Sequence, residues 1–406
     1  MHDASLTRAA DAARQGSPEV LADLLRASRA DTLATFALYE QALPELQVPL
    51  RPELNPPLWE LGHIGWFQEF WIGRNPACGA GARADPDVPR RPPLRGDADA
   101  LYNSSRVPHD SRWQLPLPGA AATREDLARQ LDQTLALLQH AAGTDDALYF
   151  FRLALLHEDM HHEAALYMAR GLGMAVHDPR WQVQALPAPG APLQVGAQHW
   201  RLGGDAGGGF VFDNERAGLD VALAPFAIDA QAVRWAEFLP FVAAGGYDDP
   251  RWWSEAGAHW RAAQPSSLPR YLRQGAEGWE RSLGERWAPL DLGEAASHLT
   301  LHEAQAWCRW AGRRLPTEAE WECAACTAGP AFRWGDVWEW TASPFAPFPG
   351  FEPHPYRDYS APWFDGRPVL KGASTCTQPR MRHPKYRNFF QSWRSDVPAG
   401  FRSCAA

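Results

Sequence analysis

Four absences in this sequence each remove a class of function. No run of 18 apolar residues occurs in its 406 residues, so a membrane-spanning helix is not expected. The opening stretch MHDASLTRAADAARQ has no apolar centre of the kind a secretory leader needs, which points to a cytoplasmic protein. Basic residues are not in excess. The 39 Lys and Arg against 48 Asp and Glu leave a net charge of −9, the wrong sign for gripping phosphate backbones, so no nucleic-acid partner is expected. Cysteine is sparse. The six present are expected to stay reduced in a chain without a leader.

The length fits two or three domains at about 150 residues each. Twenty Trp are available for a dense core or a walled pocket. The first ~180 residues read mainly as helix. Ser17 and Pro18 open one helix, and PLWELGHIGWFQEFWIG follows Pro56-Pro57 as a second. A third begins near Thr123, with Asp126 as its acidic first-turn partner, and a fourth runs through DDALYFFRLALLHEDMHHEAALYMARGLG to a stop at Gly171. Residues 75–119, rich in Pro, Arg and Asp, read as loop. Four helices with one long connection fit a four-helix bundle. The stretch ALPAPGAPLQVGAQ then reads as a linker. Beyond it, short apolar runs alternate with turn residues around one clear helix, LHEAQAWCRWAGRR, as in a loop-rich α+β domain. The expected division is 1–183 and 184–406.

Within the fourth helix His157 and His161 are four residues apart, so both imidazoles lie on one face, one turn apart. A third ligand for a shared ion must come from another helix. His63, set among Trp59, Trp66, Phe67 and Phe70, is the candidate. His162 points about 100° away from His161 and reads as a surface or supporting residue. Three neutral imidazoles leave positions open on a metal without choosing among Zn, Cu, Fe and Ni. HEDMH also satisfies the H-E-x-x-H pattern of zinc hydrolases, in which the Glu is the general base. The extended form fails, because Ala164 and Tyr167 stand where Gly and His are required. A non-catalytic binding module is the bland alternative.

The second half carries specific phrases: FVFDNERAG, RLPTEAEWE, WGDVWEWTASPF, VLKGASTC and AGFRSC. Together they resemble the formylglycine-generating-enzyme-like, sulfatase-modifying fold, a C-type-lectin-like domain. The C-x4-C copper pair of true formylglycine generators is absent. Cys376 lies near its first position, but Met381 stands five residues later. Cys323 and Cys326, a lone C-x-x-C, read as helix residues.

PPLWELGHIGWFQEFW and LHEDMHHEA resemble the metal-binding segments of the DinB-like helical domain. The two domains in one chain resemble the ergothioneine sulfoxide synthase family and its selenoneine-forming and ovothiol-forming relatives. The resemblance implies Fe(2+) held by His63, His157 and His161. It also implies O2 and hercynine as substrates, and a thiol or selenosugar whose S or Se is joined to the hercynine imidazole. Met160 stands where many ergothioneine enzymes have a substrate-contacting Gln. Arg387, Asn388, Phe389 and Phe390 replace an R-N-W-D substrate segment, and the lost Asp argues against γ-glutamylcysteine as donor. YNSSRVPHDSRW resembles a family substrate loop and leaves Arg112 and Arg106. These departures, with the ending AGFRSC, point to the selenoneine branch, with a thiol-using ergothioneine-type enzyme as the alternative. Phe389 and Phe390 are expected to help cage the trimethylammonium group. For a catalytic phenol the resemblance offers Tyr102, with Tyr356 and Tyr359 as further candidates.

Overall fold

In the first half, helix starts follow from capping chemistry. The computed structural model describes residues 3–174, 182–204, 208–284 and 286–406. Helix α1 spans Asp3–Gln15. Ser17 accepts from the Val20 N–H and Pro18 takes the first position of α2 (Pro18–Ala42). Helix α3 (Pro57–Gln68) runs on into a π turn, Glu69–Gly73. Residues 75–119 hold more structure than their composition indicates: two 3-10 turns, Cys78–Arg83 and His109–Gln114, flank the short helix α4 (Ala98–Tyr102).

Helix α5 (Ala120–Leu138) starts three residues before the expected Thr123. Its hydroxyl instead donates to the Gly119 carbonyl inside the first turn, at 3.1 Å. Helix α6 (Asp145–Gly171) is capped by Thr144 and carries Asp145 and Asp146 at its positive end. Gly171 remains helical. The left-handed residue that ends the helix is Gly173, φ 76°. Helices α2, α3, α5 and α6 pack against one another as a four-helix bundle. Helix α1 reaches out of it, and Arg14 grips the buried Glu215 of the second half with two bonds of 2.8 and 2.9 Å.

The second half contains α7 (Trp235–Ala243), α8 (Glu255–Ala262), α9 (Leu301–Trp310) and α10 (Glu318–Thr327), of which only α9 is plain from periodicity. Pro240 lies inside α7, and α10 is buried almost all round. The RLPTEAEWE phrase is now physically explicable. Thr317 and Glu320 form a capping box, Trp321 is fully buried, and Glu322 receives both lysines of the chain, Lys371 and Lys385, at 3.0 and 2.9 Å. One four-stranded sheet joins Asn388–Phe389, Pro368–Gly372, Trp338–Pro344 and, in parallel, Ala399–Gly400. Another joins Leu193–Val195, Phe226–Ile228, Cys404–Ala405 and Arg313–Arg314. The expected linker is therefore built into the domain. Leu193–Val195 is a paired strand, and the Leu186 N–H bonds to the Gly293 carbonyl at 2.8 Å.

One apolar core runs through both halves, from Trp59, Phe67 and Phe150 to Phe238, Trp340 and Leu370. Among the described residues no helix is long and apolar enough to cross a membrane.

Candidate metal centre and active-site cavity

Three imidazoles converge where α3 crosses α6. His63 stands on α3, and His157 and His161 are one turn apart on α6. Their ligand-capable atoms lie within 4.8 Å of one another. Each ring is fixed by its surroundings. His63 Nδ1 donates to the Tyr102 carbonyl at 2.8 Å, and the ring stacks on Trp59 at 4.7 Å. His161 Nδ1 donates to Glu60 Oε2 at 2.5 Å. His157 lies flat against Phe67, ring centres 3.5 Å apart.

These bonds put the protons of His63 and His161 on Nδ1 and leave lone pairs on Nε2, the arrangement that supporting hydrogen bonds impose on metal-ligating histidines. His161 Nε2 faces His157 Nε2 at 3.2 Å. An ion with bonds of roughly 2.1 Å places two neighbouring nitrogens about 3 Å apart, so the spacing fits a shared cation. Burial lowers the His63 pKa to about 3 and takes His157 well below its ordinary value, with the neighbouring imidazoles pushing the same way. Both rings are thus neutral at pH 7, the form that binds metal. Burial drives the Glu60 carboxyl upward, but His161, His63 and Arg112 together outweigh it and hold the group below its ordinary range.

His157 and His161 open on a cavity of about 470 Å³ between the two halves, with His63 behind them. Ser104, Ser105 and Arg112 line it from the first half, beside His157, Met160 and His161. Tyr356, Asp358, Tyr359, Trp363 and Phe389 line it from the second. Arg112 is held over the Trp59 ring at 3.8 Å and donates to Asn55 Oδ1 at 2.9 Å. Asn55 Nδ2 in turn donates to Glu60 Oε1 at 2.6 Å. Tyr359 donates to the Tyr386 hydroxyl at 3.0 Å, and that hydroxyl donates to Met160 Sδ at 3.4 Å.

Of the residues picked from sequence, Met160, Arg112, Phe389, Tyr356 and Tyr359 reach this cavity beside the histidines, and four others lie elsewhere. Tyr102 offers His63 its carbonyl only. Its phenol, raised to about 12 by burial, lies against the Gly62 backbone, where a Cβ would meet the ring carbons at 2.3 Å. Arg387 is a structural cation, bonded to Glu318 at 2.9 and 3.1 Å and held against Phe348. Asn388 turns its Oδ1 back to the Phe389 N–H at 2.9 Å. Phe390 packs on Tyr167 and Arg394, outside the cavity.

His162 is not a surface residue. It is buried between Thr35 and Gln378, at 2.8 and 2.9 Å. The zinc-hydrolase reading fails on Glu158, whose buried carboxylate is clamped by Arg29 at 2.8 and 3.1 Å and is not free to act as a base at the histidines. Sequence reasoning missed Glu60, Asn55 and Asp358. Glu60 had a signal, being a lone acid one turn before His63 in an otherwise apolar helix. Asp358 had none, because only the fold brings it to the histidines.

Comparison with known proteins agrees with this architecture. Residues 187–336 match the sulfatase-modifying factor enzyme 1-like domain. The formylglycine-generating enzyme of Streptomyces coelicolor is 36% identical over 40% of this chain and 58% of its own length. The hercynine oxygenase of Mycobacterium tuberculosis is 32% identical over 95% of this chain and 98% of its own length. That of Mycolicibacterium smegmatis is 30% identical over the same shares. Full-length similarity at this level, together with a three-histidine centre facing an inter-domain cavity, makes the chain a member of the hercynine oxygenase family.

Proposed function

We propose that this protein joins selenium from a selenosugar to the imidazole of hercynine, using O2 and ferrous iron held by His63, His157 and His161. The observation that carries the reading is the convergence of three imidazoles beside an open cavity. Iron(II), when bound, supplies the electrons that activate O2 and a template on which both reactants meet.

The remaining work falls to the chain. Arg112 is positioned to take the carboxylate of hercynine. Phe389, Trp363 and Tyr359 offer aromatic faces for its trimethylammonium group. Ser104, Ser105 and Asp358 present hydroxyl and carboxylate partners suited to a sugar donor, and Ser105 already donates to Asp358. Tyr356, edge-on to Phe67 at 4.9 Å and raised far above the ordinary phenol range by burial, keeps its proton at pH 7. It replaces Tyr102 in this reading as the phenol that donates to an oxygen in the cavity. We assign the bundle, 1–183, to the DinB-like class and 184–406 to the sulfatase-modifying fold, so that ligands come from one half and much of the substrate wall from the other.

The test is aerobic turnover of the iron-loaded protein with hercynine and, in parallel, a selenosugar, a thiosugar, cysteine and γ-glutamylcysteine. Product from the selenosugar is expected. Turnover with γ-glutamylcysteine alone would replace the selenium assignment with an ergothioneine-type one, the second reading, which full-length similarity to hercynine oxygenases favours.

A further inference from the structure

A second cavity of about 80 Å³ lies beyond the far end of α6, and Arg170, Arg270 and Arg281 line it. Arg170 stands nine residues past His161, about 14 Å along the helix, so this is a separate site.

Charge is out of balance there. Arg281 pairs with Glu294. Arg170 and Arg270 make no ion pair among the described residues. Arg170 donates to the Ser282 carbonyl at 3.3 Å, and Arg270 to Ser395 Oγ at 3.4 Å. Both guanidiniums sit 4.9 Å from the centre of the same ring, Tyr271. The other acids nearby are taken: Asp336 by Arg333 at 3.2 Å, and Asp396 by Arg394 at 2.6 Å. The cavity wall thus carries three arginines against two acids, Glu294 and Asp336, and an anion placed there would offset the excess.

The backbone gives an independent sign. Four non-glycine residues among those described have positive φ, and two of them, Tyr271 (65°) and His298 (62°), line this cavity with their rings edge-on at 5.0 Å. Such conformations are unfavourable for residues with a Cβ and are retained where the surroundings demand them. Among the described residues, the buried Tyr271 hydroxyl and the Nε–H groups of Arg170 and Arg281 have no hydrogen-bond partner. Two of these groups can only donate and the phenol can donate as well, so an acceptor ligand would suit all three.

We infer that this cavity binds a small oxyanion, a phosphate or a short carboxylate, held by Arg170 and Arg270. The volume holds several water molecules and hence one such group. The inference does not depend on the chemistry assigned to the histidine centre.

The experiment is calorimetric titration of the full-length, metal-free protein with inorganic phosphate and, separately, succinate, in a low-chloride buffer. Saturable binding of at least one of them is expected, and the stronger of the two names the source. Arg270→Gln should weaken binding roughly tenfold or more, since hydrogen bonds to a charged group carry that much. Arg112→Gln, in the other cavity, should leave it unchanged. Binding of neither anion, binding unaltered in Arg270→Gln, or binding lost in Arg112→Gln would overturn the assignment. If Arg270→Gln does not fold, crystals of the unmodified protein soaked in tungstate decide the matter: density at Arg170 and Arg270 supports the site, and its absence there refutes it.

Discussion

The two faces of α6 carry nearly the same residue types and behave in opposite ways. On the closed face every polar group is answered. Glu158 is held by Arg29, and Asp159 by Ser28 and Arg380. His162 is held by Thr35 and Gln378, and Glu163 by Trp338, Ser374 and Thr377. On the open face His157 Nε2 and His161 Nε2 face each other at 3.2 Å, with a cavity in front of them. Residue type alone does not mark the functional side of HEDMHHE. What marks it is hydrogen-bonding capacity that the protein itself leaves unmet.

Mutations on the two faces should therefore fail differently. On the open face, His161→Ala should lower bound iron, measured by elemental analysis, from near one equivalent to background while the circular dichroism spectrum persists. On the closed face, Glu158→Gln should leave the iron content of the folded protein intact. It should cost about 3–5 kcal/mol of stability in denaturant titration, because Arg29 is left buried without its counter-charge. If Glu158→Gln lost iron at full stability, the division between the faces would collapse. The next contrast concerns phenols. Tyr356→Phe should reduce kcat roughly 100-fold, the usual contribution of a positioned proton donor. Tyr102→Phe should change it little, since only its carbonyl serves the site. Equal losses in both variants would return Tyr102 to candidacy.

What could be read ahead of the structure was local. The i,i+4 histidine pair and the aromatic setting of His63 are features of single helices, and periodicity exposes them. The Ser17–Pro18 helix start is equally local. Helix α7 escaped because Pro240 interrupts it, and α10 because burial on nearly every side erases its periodicity. The substrate wall was legible only in fragments. Phe389 and Phe390 are adjacent in sequence, but the strand ends at Phe389, and one residue reaches the cavity while the other meets Arg394. Asp358 and the Arg29–Glu158 clamp depend on contacts between residues far apart in sequence, which no local pattern encodes.

Acid should weaken the metal-free protein through His63. The His63 pKa is about 3 in the folded chain, against an ordinary value near 6.5 in the unfolded one. Between these values the unfolded state binds the extra proton, so stability is full above pH 6.5 and falls as pH drops toward 3. At pH 5 the metal-free protein should have lost about 2 kcal/mol through His63 alone. His63→Asn should flatten that part of the curve. Denaturant midpoints at pH 7 and pH 5, compared between the two proteins, measure it, and an unchanged slope would mean that His63 titrates normally.

The smallest expected effect separates the two adjacent phenylalanines. Phe389 forms part of the cavity wall and stacks on Phe345 at 4.2 Å, whereas Phe390 sits behind it. Losing one aromatic face from a trimethylammonium site costs on the order of 1 kcal/mol, a severalfold change in affinity. Phe389→Leu should thus raise the KM for hercynine several-fold with kcat nearly unchanged, and Phe390→Leu should leave both within error. A reversed pair would mean that substrate lies against the other side of the Asn388–Phe389 strand, and the position assigned to the hercynine cation would move with it.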